Sequence, residues 1–214
     1  MEYAGTKSWR ISVSEWDFHL EWALWVRAAE RIEVPVGGVV TGPLDIDPLP
    51  EPSVPSGAPL AEGWLYWWHA VVSRPEASPP FTPDDLAELG RFGPPGFGGL
   101  DAYPDLQRVM VARWEEANSW HSARKLAGVE AFRSAFVRQD QDQGRGPRAE
   151  GVVVRSVEAE VGHKAAPFNL KIVVVPVLDE EIRSVGDGTF LVPERVRGTD
   201  AYTTWLRALV RALA

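Results

Sequence analysis

The chain has 214 residues, is 45% hydrophobic and 24% charged, and carries a formal net charge of −8. This is the composition of a folded chain long enough to bury a substantial core, and an acidic balance with scattered Lys and Arg repels a nucleic-acid backbone rather than recruiting it. No cysteine is present, which removes disulfides, thiolate nucleophiles and Cys-based zinc sites.

The first ten residues, MEYAGTKSWR, hold no apolar h-region, so no secretory signal is read. No apolar run approaches the roughly eighteen residues of a membrane span, and a cytoplasmic location is the expectation. Residues 8–13, SWRISV, alternate well enough for a short strand. Ser14 stands where a helix N-cap would, followed by acidic Glu15 and Asp17, which suit the positive end of a helix dipole. Phe18, Trp22, Trp25, Val26 and Ala29 fall on one helical face, and the helix should end near Arg31, ahead of Val34-Pro35. Trp16 lies off that stripe.

Residues 35–59 hold seven prolines and read as a long irregular connection, either functional or disordered. The segment GWLYWWHAVV that follows reads as a helix of about three turns stopped before Pro75. Thr82-Pro83-Asp84-Asp85 reads as N-cap, N1 proline and acidic first turn of a brief helix to Leu89. Phe92 to Pro104 is a glycine- and proline-rich loop. Asp105 to Gln139 keeps a helical period, with a break expected around Gly128. Residues 140–151 read as an exposed linker.

Beyond the linker the reading turns to strands. In GVVVRSVEAEV, Val153, Val157, Ala159 and Val161 are placed on one face and Ser156, Glu158 and Glu160 on the other. NLKIVVVPVL is apolar on both faces, and its Pro176 requires a bulge or an edge. Asp187-Gly188 suggests a hairpin turn between IRSV and TFLV. Thr199 or Asp200 caps a last helix with a stripe of Tyr202, Trp205, Leu206, Leu209 and Val210. The expected architecture is therefore one α+β domain over 1–214. Its parts are an N-terminal strand, a helical part over 14–139 with Pro/Gly-rich loops at 33–62 and 91–104, and a sheet part over 151–192. That sheet is read as a late antiparallel β-meander of three or four strands, followed by a closing C-terminal helix over 199–214.

Chemistry-bearing motifs are few. His19, His69, His121 and His163 are too far apart for local metal-ligand spacing, and they read as structural. No metal site is read, and no cofactor is implied. FGPPGFGG lacks the Gly-Lys-Ser/Thr of a phosphate loop. Glu158 and Glu160, about 6–7 Å apart if they share a strand face, together with Lys171 on a neighbouring strand, are the candidate catalytic set for a metal-assisted hydrolase.

The ten tryptophans are the compositional anomaly. Each, when fully buried, is worth roughly 4–6 kcal/mol as an upper bound. Trp64, Tyr66, Trp67 and Trp68, with Phe97, are the candidate interaction residues, read as either core or a contact surface. The leading functional expectation is a non-catalytic interaction or accessory protein of adaptor, inhibitor or immunity-like type, using an aromatic surface. Its acidic charge favours a basic protein partner, with no nucleic acid and no membrane as partner and a homo-oligomer left open. The alternatives are the metal-assisted hydrolase and a small-ligand binding protein.

Overall fold

The computed structural model describes residues 2–5, 9–53, 59–73, 90–94, 96–142, 149–186 and 188–214. In chain order the elements are β1 (Glu2–Gly5), β2 (Trp9–Ser14), α1 (Phe18–Ala29), α2 (Ala61–Val72), α3 (Pro104–Asp142) and α4 (Ala149–Val161). They continue with β3 (Phe168–Val175), β4 (Arg183–Gly186), β5 (Thr189–Pro193) and α5 (Asp200–Leu213), and one 3₁₀ turn lies at Gly98–Leu100. The chain is α+β, with the N-terminal strand, late strands and closing helix that its patterning predicts. The helix expected from Thr82 to Leu89 lies outside the described residues. The chain divides into two compact units, Met1–Asp17 with Arg124–Ala214, and Phe18–Ala123.

The first unit is built on a five-stranded sheet of order β1-β2-β3-β5-β4. The expected antiparallel meander is corrected here, because β3 runs parallel to both β2 and β5 and only the outer pairs β1–β2 and β4–β5 are antiparallel. Alternate residues Trp9, Ile11 and Val13 of β2, and Leu170, Ile172 and Val174 of β3, form one apolar face. Onto it pack Val153, Val154 and Val157 of α4 and Tyr202, Leu206 and Val210 of α5. Val173, Val175 and Leu191 are buried as well, so β3 is apolar on both sides, as strands in parallel pairing are. Pro176 needs no bulge, since β3 ends at Val175, one residue before it. The β4–β5 hairpin is present. Gly188 at its turn has φ +73° and lies against the Asn169 carbonyl, where a Cβ would collide, so only glycine fits.

The largest departure from expectation is residues 151–161, which are helical and not a strand. Val153, Val157 and Val161 are four apart and satisfy either period. Val154 decides the matter: it is fully buried beside Val153, while Val152 and Ala159 are exposed. Only a period of 3.6 buries 150, 153, 154, 157 and 158 together. The local strand preference of valine is overruled by what the neighbours can cover. A second departure concerns α3, which runs unbroken through Gly128. That glycine makes room for the Trp16 ring, which a Cβ would meet head on.

The second unit is organised by aromatic rings. Helix α1 is buried nearly all round, from Leu20 to Arg27. Trp22 meets Trp114 at 4.6 Å between ring centroids, Phe97 at 5.0 Å, Phe18 at 5.3 Å and Trp67 at 5.6 Å. Trp64 and Trp68 stack at 5.3 Å. The Trp64 indole N–H donates to the Ala23 carbonyl at 2.7 Å, and that of Trp68 to the Val39 carbonyl at 2.9 Å. The proline-rich connection is pinned by side chains where it lacks backbone partners. Arg27 donates to the Thr41 carbonyl at 2.7 Å, and Glu30 accepts from the Ser53 amide at 2.9 Å and from Arg113 Nε at 2.7 Å.

Trp22→Ala and Trp64→Ala are each expected to lower unfolding stability by about 3–5 kcal/mol in urea denaturation. Tyr66→Ala, at an exposed position, should change it by no more than about 0.5 kcal/mol. Similar losses for all three would overturn the burial assignment.

Candidate functional site

The residues singled out in the sequence are dispersed. Trp64, Trp67, Trp68 and Phe97 are between 0% and 1% exposed, whereas Tyr66 is 40% exposed. Four of these five candidate interaction residues are therefore core rings, enclosed within their own unit. Phe97 reaches the core from a left-handed backbone position, φ +50°, against Trp22.

Glu158 and Glu160 stand on α4, not on a strand face. Two residues apart on a helix, they point about 200° from each other. Glu158 is buried and accepts from Lys164 Nζ at 2.9 Å and from the Ala165 amide at 3.1 Å. The Lys164 hydrogen bond, opposed by burial and helped by the Ala165 amide, holds its pKa below the ordinary value of 4.5. Glu160 is exposed and pairs with Arg207 and Arg211 of α5. Lys171 sits within β3, in register with Ser12 and Thr189. The three do not assemble into a catalytic set. Among the described residues, no three His, Cys, Asp or Glu side chains converge to hold a metal ion. No described helix is long and apolar enough to cross a membrane.

The structure instead assembles a pocket of about 790 Å³ within the sheet unit. Its apolar lining includes Trp16, Ala131, Val152, Val153, Val174 and Leu206, and its polar lining includes Glu15, Arg124, Glu150, Glu194, Arg197, Tyr202 and Thr203. Each part has a local cause. Val174 is offered by the covered face of β3, and Glu150 comes from the first turn of α4, where a carboxylate complements the helix dipole. Tyr202 is placed by the N-cap of α5: the Thr199 hydroxyl accepts from the Tyr202 amide at 3.3 Å and donates to the Val196 carbonyl at 2.6 Å. Thr199, not Asp200, is thus the cap. Trp16 enters the lining with φ +57°, a left-handed conformation that a bulky residue adopts at a cost.

The polar groups form two charge-paired sets. Arg197 pairs with Glu15 and lies 3.6 Å from Glu150 Oε1, and the Tyr202 hydroxyl donates to the same oxygen at 3.0 Å. Arg124 pairs with Glu194 at 2.7 Å. Glu150 is 4% exposed and Tyr202 4%. Burial first, then the charge of Glu150 and the hydrogen bond to it, push the Tyr202 phenol well above its ordinary value of 10. Tyr202 is therefore a neutral donor at every physiological pH, and Glu150 is the acceptor it serves.

This pocket has no signature in the sequence. Glu150 lay at the seam between a presumed linker and a presumed strand, and Arg197 between elements. The available signal was Trp16, an aromatic residue off the helical stripe of α1 that the helix could not bury. In comparisons with protein families, curated proteins and solved structures, the chain matches none.

Two outcomes are expected of the buried carboxylates and their partners. Tyr202→Phe leaves Glu150 short of a donor and should cost about 1–3 kcal/mol of stability. For Glu158 the depressed folded pKa means stabilisation that is present above 4.5 and lost as pH falls through the folded value. Unfolding measured from about pH 7 to about pH 3 should therefore show Glu158→Gln less stable than wild type at neutral pH. The gap should close in acid, and a gap independent of pH would contradict the assignment.

Proposed function

We propose that this protein is a small-molecule binding protein and that the pocket of its sheet unit is the binding site. The observation that carries the proposal is Glu150, a carboxylate almost wholly withdrawn from water that nevertheless lines an open pocket of about 790 Å³. Burying a carboxylate is costly unless donors surround it, and a fold gains nothing by placing one against an empty space. The volume falls within the ordinary range of ligand pockets, and a mostly apolar wall with a few fixed polar groups is how such pockets orient what they bind. The left-handed Trp16 adds support, since backbone strain of this kind concentrates at ligand-contacting positions.

The notion of a protein contact through the aromatic segment loses its main support, because Trp64, Trp67, Trp68 and Phe97 are enclosed. The hydrolase reading has no assembled residues behind it. An accessory role is compatible with the pocket, with the protein sensing or carrying a ligand rather than transforming it.

The test uses a substitution at the mouth of the pocket. Val152 is 48% exposed on α4 and lines the pocket, so Val152→Trp narrows the site without touching the core. Native mass spectrometry after incubation with fractionated small-molecule cell extract should show an adduct on wild type that Val152→Trp lacks. Thermal unfolding in the active fraction should rise by several degrees for wild type alone, as expected when ligand exceeds its Kd about a hundredfold. An adduct carried equally by both proteins, or none in any fraction, would overturn the proposal.

A further inference from the structure

We infer that the pocket selects an organic cation, an aryl- or alkyl-amine or amidine whose N–H donors meet Glu150 Oε2. The inference rests on the ligand-binding reading above and adds the chemical class. Three carboxylates line the pocket, Glu15, Glu150 and Glu194, against two guanidiniums, Arg124 and Arg197. Both guanidiniums are already engaged, Arg124 by Glu194 and Arg197 by Glu15 and Glu150. Among the described lining residues one negative charge is therefore in excess.

The excess has an address. The Tyr202 hydroxyl and Arg197 both converge on Glu150 Oε1, which fixes the carboxylate in one orientation. No described residue donates to Oε2, although the side chain is only 5% exposed. Oε2 is not sealed off as a fully buried atom but is open to the pocket, where a ligand ammonium or amidinium supplies both a donor and the missing charge. A neutral alcohol would supply only the donor. An anion would meet arginines that are already paired and a carboxylate that repels it.

The rest of the pocket suits the same class. Trp16 lines the pocket with an aromatic surface of the kind that suits a cation or the aromatic body that carries one, and Val152, Val153 and Leu206 accommodate the apolar part. At −8 the chain as a whole attracts cations.

The experiment titrates the full chain with three probes of matched shape: 2-phenylethylammonium, 2-phenylethanol and 3-phenylpropionate. Binding is read by calorimetry and by shifts of the Trp16 indole N–H resonance. The ammonium should bind at least about tenfold tighter than the alcohol, as a charge-assisted hydrogen bond allows, and the carboxylate more weakly than either. Glu150→Gln should abolish the preference, the ammonium then binding no tighter than the alcohol. Tyr202→Phe, which keeps the charge, should retain the preference. Should Glu150→Gln not fold, Glu150→Asp takes its place, since withdrawing the carboxylate by one methylene should weaken the preference. Equal binding of ammonium and alcohol, or a preference that persists in the Glu150 variant, overturns the cation class while leaving the pocket as a ligand site. No binding by any of the three probes overturns both.

Discussion

Strand β3 has a parallel neighbour on each side and apolar residues on both faces, and the sheet unit is arranged around covering it. Leu170, Ile172 and Val174 present one face, and Val173 and Val175 are buried as well. A strand of this kind exposes nothing to water without loss. The cover on the first face is the pair α4 and α5, through Val153, Val154, Val157, Leu206 and Val210. The same requirement holds residues 149–161 in a helix despite a valine-rich sequence that locally favours a strand. The pocket is a consequence of that cover: Val174 of the face, Val153 of α4 and Leu206 of α5 all reach its lining.

Helix α4 buries two glutamates whose surroundings differ. Glu158 is closed off, with one oxygen taken by Lys164 and the other by the Ala165 amide. Such a carboxylate ties the end of α4 to the chain that follows it. Glu150, two turns earlier, accepts from Tyr202 on one oxygen, with Arg197 3.6 Å from that same oxygen. The same residue type on the same helix is thus closed off by donors on both oxygens at one end and lines the pocket with one hydrogen-bonded oxygen at the other. Sealing against solvent is similar for the two, so burial alone does not distinguish them. The distribution of donors does.

In the aromatic unit, irregular backbone is held by long side chains rather than by secondary structure. The connection between α1 and α2 offers carbonyls at Val39, Thr41 and Glu51, which are taken by Trp68, Arg27 and Arg113. Arg27 also lies 5.2 Å over the Trp64 ring, and Arg113 lies 5.8 Å over that of Trp25, so each guanidinium joins the loop to the ring cluster. This explains how seven prolines coexist with buried Val40, Thr41 and Leu44. It also explains the tryptophan content, since a small helical unit fills its interior with few residues when each is large.

The sequence by itself determined the α+β class, the helices α1, α2, α3 and α5, the strand β2, the β4–β5 hairpin and the core stripe of α5. Each of these rests on periodicity, capping or turn chemistry that acts over a few residues. Thr199 and Gly188 carry such signals within their own neighbourhoods. Only the tertiary structure decided that residues 149–161 are helical, because Val153, Val157 and Val161 fit both periods and the choice falls to the face of β3 they must cover. It also decided that the sheet is mixed, since β2 reaches β3 from the far end of the chain and β5 rather than the nearer β4 takes the place beside β3, choices that the local pattern leaves open in either direction. The placement of the Trp64–Trp68 rings inside their unit follows from Trp22, Phe97 and Trp114, which are distant in sequence. The pocket was illegible for the same reason: Glu15 and Trp16, Glu150, and Arg197 with Tyr202 come from three stretches far apart in the chain, and only the fold brings them to one lining.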